Sequence, residues 1–192
     1  MEKPSKDTSN PTFSINSIEA GWICGCINDG KTEFCFDYSA ADGDFPSSLL
    51  KTLLTEYGVL ENDDNSNLFG WSEPELDEWQ IKQRKNSISI TIKTYADNTA
   101  NAALTETKQL DFNAETLIKD VIEAYKKTLW TYGLLGYKKS WWKEFPLAYL
   151  IKLMDFACNK NSITLHKKDM GNYKSSISAE SDYIKSLFFT ER

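Results

Sequence analysis

The chain of 192 residues has one histidine, His166, and only two arginines. A single histidine excludes a two-histidine metal site, and any Ser–His or Cys–His pair would depend on this one residue. His166 is followed by two lysines, a polar context typical of an exposed surface histidine. The glycine-rich phosphate loops, the HExxH zinc motif and the GxSxG nucleophile motif are also missing. We therefore expect no catalytic residue, no metal and no cofactor.

Long apolar runs are missing too, since no stretch reaches the about 18 residues of a membrane-spanning helix. Residues 1–11 lack the apolar core of a signal peptide. The four cysteines, Cys24, Cys26, Cys35 and Cys158, are few for a disulfide scaffold of this length. These absences predict a cytoplasmic protein with reduced thiols and no membrane contact.

Basic residues are absent from residues 52–81, although eight acids lie there. Residues 19–81 as a whole hold fourteen acids and two lysines, a net charge of −12, whereas residues 82–192 sum to +6. A field of this kind repels nucleic acid and steers a cationic partner toward the protein. A solvated acidic loop is the alternative interpretation.

Aromatic residues, by contrast, are abundant at 13% of the chain, which favours a folded core over disorder. Asp29-Gly30 predicts a two-residue turn in a hairpin over 21–40 whose paired residue numbers sum to 59. Cys24 then lies opposite Cys35, with the apolar side chains on the other face. A second hairpin over 78–95 pairs residues whose numbers sum to 171, and residues 105–112 form a further strand.

Helical periodicity is clearest after Asn113, which is placed to cap a helix from Ala114 to Tyr132 that Gly133 ends. Three further helices are predicted, over 44–57 with Asp44 as the N-cap, over 146–159 and over 178–189. Residues 59–76 have no strong period and are interpreted as a long loop. The fold class is α+β, an antiparallel sheet of about five strands built from hairpins and packed by three to four helices.

The same composition and periodicity predict the domain organisation. Residues 1–12 are predicted to be a flexible tail and residues 13–192 a single domain, with residues 160–192 a candidate loosely attached C-terminal extension.

Three groups of residues are candidates for a catalytic, metal or binding site. Glu73 and Glu75 on an extended segment would share one side about 7 Å apart, a spacing that suits a hydrolase, with Trp71 and Trp79 as a sugar platform. The clustered cysteines, on one face of the first hairpin, allow a zinc site or a disulfide, although partly buried thiols that pack as small hydrophobic groups are expected. Residues 137–145 interleave bases and aromatic residues and allow an adaptor surface, although core packing is the simpler interpretation.

A further pattern combines the order of the elements, two local sequences and the acidic character of the domain. The chain opens with a hairpin followed by a helix, from Gly21-Trp22-Ile23 to Ser48-Leu49-Leu50, and later carries Leu129-Trp130-Thr131-Tyr132-Gly133 and Phe145-Pro146-Leu147-Ala148-Tyr149-Leu150. Together with the small acidic domain, these segments resemble bacterial immunity proteins of toxin–immunity systems, including those of contact-dependent inhibition. The resemblance covers residues 20–157. It implies tight binding of a cognate, often cationic, toxin nuclease whose active site is blocked.

The expected partner-binding residues lie in the acidic stretch, where the aromatic residues Phe69 and Trp71 are candidate anchors. The full predicted set is Glu61, Asp63, Asp64, Phe69, Trp71, Glu73, Glu75, Asp77 and Glu78. The partner is expected to be a protein, specifically a cationic toxin domain, and not a nucleic acid.

Overall fold

The computed structural model describes residues 12–61, 68–158, 163, 166–168 and 172–188. Its strands are β1 (Phe13–Glu19), β2 (Trp22–Asn28), β3 (Glu33–Ser39), β4 (Leu68–Ser72), β5 (Glu75–Arg84), β6 (Ser87–Tyr95), β7 (Leu104–Asn113), β8 (His166–Lys168) and β9 (Asn172–Lys174). Its helices are α1 (Phe45–Glu56), α2 (Ala114–Trp141), α3 (Leu147–Ala157) and α4 (Ile177–Phe188). Of the predicted tail over residues 1–12, residues 1–11 lie outside the described residues. Thr12 is described, and its N–H and hydroxyl donate hydrogen bonds to the Asp120 carboxylate at 2.8 and 2.7 Å.

The strands form antiparallel sheets in the orders β1-β2-β3, β4-β5-β6-β7 and β8-β9. The fold class is α+β as predicted, but the single sheet of about five strands is wrong. The two larger sheets hold seven strands, and the two that were not predicted are β1 and β4. A register shift between Ile15 and Ser17 interrupts the alternation of β1, and β4 is only five residues long, inside the stretch interpreted as a loop.

The first hairpin forms, but its register differs from the prediction by two residues. Its pairs sum to 61, so that Cys26 lies opposite Cys35 and Ile27 opposite Phe34. The Asp29 carboxylate accepts hydrogen bonds from the N–H groups of Lys31 and Thr32 and holds a longer connection than a two-residue turn. A shift of two residues leaves every side chain on its predicted face, since the side-chain period of a strand is two.

The second hairpin has the predicted register, with Trp79 opposite Ile92 and Ile81 opposite Ile90. Lys85 takes the positive φ of 52° that its turn requires. The isoleucines of β6 are buried on one face, which confirms the half-buried strand.

Helix α2 begins where predicted, and the Asn113 side chain accepts a hydrogen bond from the Thr116 N–H at 3.1 Å. Gly133 breaks the helical backbone (φ 63°, ψ 175°), but helical structure resumes and continues to Trp141. Helix α1 begins after Asp44, whose side chain does not cap it. The Asp44 carboxylate instead accepts from Trp141 Nε1 at 3.0 Å and ties the start of α1 to the end of α2.

The core lies where the two larger sheets meet α1. The rings of Phe36, Tyr38, Phe45 and Trp79 contact one another with centroid separations of 4.7–5.9 Å. Gly70 of β4 lies directly against the Tyr38 ring, and a Cβ at this position would be 2.2 Å from a ring carbon. Glycine is therefore required for β4 to approach β3.

In the part of the chain that the structure describes, no helix combines the length and apolarity that a membrane span needs.

Candidate partner-binding site

The β4–β5 hairpin presents the two predicted aromatic anchors on one face. Leu68 and Gly70 point inward, so alternation along β4 places Phe69 and Trp71 on the opposite face. Phe69 is 46% exposed and lies opposite Glu78, while Trp71 is partly buried and lies opposite Leu76. We call Phe69, Trp71, Glu73 and Glu75, together with Asp42, the acidic aromatic edge.

Asp42 was not predicted for this site and reaches it through the fold. It lies in the β3–α1 connection and, with Phe69, Trp71 and Leu76, lines a recess of about 30 Å³. A hydrogen bond from Ser72 Oγ to the Asp37 carbonyl oxygen (2.8 Å) holds β4 beside β3 at this point. The recess therefore combines aromatic walls with an exposed carboxylate at its rim.

The tip of the hairpin carries Glu73 and Glu75, both exposed. Among the described residues, neither of these carboxylates nor that of Asp42 is in an ion pair. Glu78 differs, because it pairs with Lys93 at 3.6 Å and accepts a hydrogen bond from the Tyr95 hydroxyl. Burial opposes ionisation of Glu78, but hydrogen bonds from Gln80 and Tyr95 and the charge of Lys93 together lower its pKa. Free negative charge at this edge therefore comes from the hairpin tip and Asp42.

Three other predicted acidic residues, Glu61, Asp63 and Asp64, follow α1 in the chain. Glu61 is exposed at the end of the segment that follows α1. Asp63 and Asp64 lie outside the described residues.

Asp77 is buried, so its predicted contact with a partner is wrong. It is 4% exposed, and its carboxylate accepts hydrogen bonds from the Tyr38 hydroxyl (2.8 Å) and the Thr94 hydroxyl (2.6 Å). Trp79 Nε1 donates in turn to the Tyr38 hydroxyl at 2.8 Å. Burial raises the pKa of Asp77. The four side chains form an internal network beneath the acidic aromatic edge.

The hydrolase hypothesis required two carboxylates in a cleft and two tryptophans as a sugar platform. Trp79 is fully buried, so it cannot stack on a sugar. Glu73 belongs to the turn and Glu75 begins β5, so the two do not share one side of an extended segment. Both carboxylates are exposed at the tip of the hairpin, whereas the hypothesis required them in a cleft.

The three clustered cysteines face outward, but they form neither a zinc site nor a set of reduced thiols. Cys26 and Cys35 are joined by a disulfide across β2 and β3, which corrects the expectation that all thiols are reduced. The Cys24 thiol donates a hydrogen bond to Asp37 at 3.1 Å. Within the described residues, no group of three or more histidine, cysteine, aspartate or glutamate side chains is arranged to hold a metal ion.

We expect the Cys26→Ser/Cys35→Ser variant to lose about 2–3 kcal/mol of unfolding free energy, because the disulfide closes a loop between residues nine positions apart. Urea denaturation of the oxidised wild type and the variant measures the difference. Cys24→Ser is the matched control and should leave the stability within about 0.5 kcal/mol. Equal stability of wild type with and without reductant would show that the crosslink does not contribute.

The aromatic segment 137–145 packs mainly in the core, as the simpler interpretation predicted. Tyr137, Trp141 and Phe145 are buried, and Tyr137 and Phe145 contact each other edge to face. Trp142 is the one exposed aromatic residue of this segment, and its ring covers Gly21. An adaptor surface here would depend on a single aromatic side chain.

A wider groove, of about 710 Å³, lies between α2, the end of α3 and the β5–β6 turn. Its apolar lining includes Ile118, Ile122 and Phe156, and its charged residues are of both signs. None of the predicted partner-binding residues that the structure describes lines this groove.

Comparison of the chain with known protein families finds no match, and comparison with curated proteins finds no similar protein.

Proposed function

We propose that this protein is a non-enzymatic immunity protein that binds a cationic bacterial toxin, most specifically a nuclease, and masks its active site. The observation that carries the proposal is the acidic aromatic edge, where Phe69 and Trp71 stand beside three carboxylates that have no ion-pair partner among the described residues. Aromatic anchors with a rim of charge are typical of protein–protein hot spots.

The chemistry of the edge favours lysine or arginine on the partner. The aliphatic part of such a side chain can lie on Phe69 and Trp71 while its charge meets Asp42 or Glu73, and the aromatic faces add a cation–π contribution. A nuclease active site that binds phosphate is itself rich in these cations. Binding at the edge would therefore compete with the nucleic acid substrate.

A growth assay tests the proposal directly. The product of the open reading frame immediately upstream in the source genome is expressed with and without this protein. The expected result is that the neighbour kills cells and this protein rescues them. A toxic neighbour that kills equally in both cases would contradict immunity against it, and a harmless neighbour would exclude this pairing.

The surface is tested by charge reversal. Glu73→Lys/Glu75→Lys should weaken toxin binding about 10- to 100-fold at low salt and flatten its salt dependence, because attractive charge becomes repulsive. Glu123→Lys/Asp182→Lys is the matched control, since it makes the same charge change on the helices, where each acid forms only a surface ion pair. Equal weakening by both pairs would leave only a net-charge effect and remove the hairpin tip from the binding surface.

A further inference from the structure

The outer edge of β7 is open over a short window. β7 is the terminal strand of its four-stranded sheet, and residues 104–107 along it are exposed. The Asp111 N–H points away from β6, since it donates to the Asp29 carboxylate at 3.1 Å. The N–H and C=O groups of successive residues in a strand point alternately to its two edges, so those of Thr107 and Gln109 also point outward. These are the groups that an added strand would pair with.

One end of this window is covered and the other is interrupted by a bulge. At the first end the β2–β3 connection covers the edge through Asp29. At the other end the register of β7 shifts at Thr105, whose Oγ1 bonds to the Thr94 carbonyl oxygen of β6. Covered ends and bulges are devices by which edge strands avoid open-ended association. The window therefore admits one short strand and does not lead to fibres.

The charged side chains within the window are complementary to those of a second copy of the chain. Glu106 and Lys108 flank Thr107, lie on the same face of the sheet, and form an ion pair within the chain at 3.4 Å. In an antiparallel pairing of two copies with Thr107 opposite Thr107, each Glu106 lies directly opposite Lys108 of the other copy. The register centred one residue later would place Lys108 opposite Lys108, which like-charge repulsion disfavours.

We propose that β7 is a homodimerisation edge, where a second copy of this chain pairs antiparallel about Thr107 and joins two four-stranded sheets into one of eight strands. Two-fold symmetry makes the contact isologous and closed. Threonine opposite threonine is also a favourable cross-strand pair. Because the window is short, the dimer is weak and its population depends on protein concentration.

The first test uses the full chain in sedimentation equilibrium at low ionic strength, up to about 1 mM, a range that captures weak complexes. The wild type should shift from one to two chains per particle. Thr107→Pro should remain a monomer, because proline removes an outward N–H that the chain's own sheet does not use. Thr107→Val, which keeps that N–H, is the matched control and should dimerise. A monomeric wild type, or a dimer unaffected by Thr107→Pro, would overturn the proposal.

A charge-mixing experiment tests the register independently of any folding defect in the proline variant. Glu106→Lys alone and Lys108→Glu alone should each weaken self-association about tenfold, because two attractive pairs become repulsive. An equimolar mixture of the two variants should regain dimers, since every cross-strand pair is then attractive. Thermal melting establishes that both variants are folded. A mixture of folded variants that associates no better than either variant alone would overturn the pairing about Thr107.

Discussion

Replacing Asp155 by alanine is expected to destabilise the protein by about 3–5 kcal/mol, the cost of removing one partner from a buried charged network. Asp155 is on α3 and is 0% exposed. One carboxylate oxygen accepts from the Tyr183 hydroxyl of α4 at 2.9 Å, and the other from the Ile163 N–H at 3.0 Å. Lys152 Nζ lies 3.7 Å from the second oxygen. Alanine would leave these donors without this acceptor in the interior.

The loss should begin in the C-terminal helix. Tyr183 and Leu187 are the buried residues of α4, and the Leu187 carbonyl oxygen accepts a hydrogen bond from Trp130 Nε1 of α2 at 2.5 Å. Because only these two side chains of α4 are buried, amide hydrogen exchange over residues 177–188 should accelerate before exchange in β5 and β6.

Urea denaturation measures the global effect, and hydrogen exchange shows where it begins. Tyr183→Phe is the graded control, because it removes one donor and keeps the ring, and should cost about 1 kcal/mol. If Asp155→Ala cost no more than Tyr183→Phe, the carboxylate would not be the group that holds α4.

The two hairpins show which parts of a sheet can be predicted from sequence. The second was predicted correctly because the two-residue turn Lys85-Asn86 fixes its register, while the alternating isoleucines of β6 fix which face is buried. The first has an equally clear apolar pattern, but pattern alone fixes only the face. Its register was decided by the Asp29 side chain, which bonds to two main-chain N–H groups in the turn.

Strands β1 and β4 were not predictable by period. The bulge in β1 shifts the apolar positions from Phe13 and Ile15 to Ile18, which breaks the alternation. In β4 one inward position is Gly70, which has no side chain and so adds nothing to the apolar pattern. The fold needs glycine there because the Tyr38 ring leaves no room for a Cβ. A glycine inside a short apolar run indicates a turn from sequence, whereas in the fold it permits close contact.

The candidate site was predictable in part. Phe69, Trp71, Glu73 and Glu75 do lie together on one hairpin because they are neighbours in sequence. Asp42 joins them only through the packing of β4 beside β3, for which no local pattern gives a signal.

The burial of Asp77, by contrast, could have been predicted from the alternation of β5. Asp77 has the same parity as Trp79 and Ile81, so once these two face the core, the period of a strand places it there too. Its negative charge instead led to the prediction of a surface position. The side chain is buried because two hydroxyl groups donate hydrogen bonds to its carboxylate in the interior.

This buried carboxylate leads to the second large expected effect. Asp77→Ala should cost about 2–4 kcal/mol, because the Tyr38 and Thr94 hydroxyls lose their acceptor in the interior. Asp77→Asn keeps the shape and one acceptor oxygen, and the Thr94 hydroxyl can rotate to accept from the new amide. We therefore expect the asparagine variant to fold and to differ from wild type mainly in its pH dependence.

The direction of that dependence follows from the raised pKa of Asp77, which burial causes and which the negative charges of Glu75 and Glu106 increase. Ionisation is harder in the folded protein than in the unfolded chain. The contribution of Asp77 to stability is therefore complete below the ordinary carboxyl pKa of about 3.9 and is lost as the pH rises through the higher folded pKa. Asp77→Asn has no such loss.

Urea denaturation of wild type and Asp77→Asn from about pH 3 to about pH 8 measures this difference. Wild type should lose stability relative to the variant as the pH rises through the folded pKa, and the gap should then stay constant. Parallel curves would show that Asp77 titrates alike in both states and that the hydroxyl donors fully offset its burial. Diverging curves would mean that burying the ionised Asp77 carboxylate beneath the acidic aromatic edge destabilises the fold. The asparagine variant removes this destabilisation without changing the charged residues of that edge.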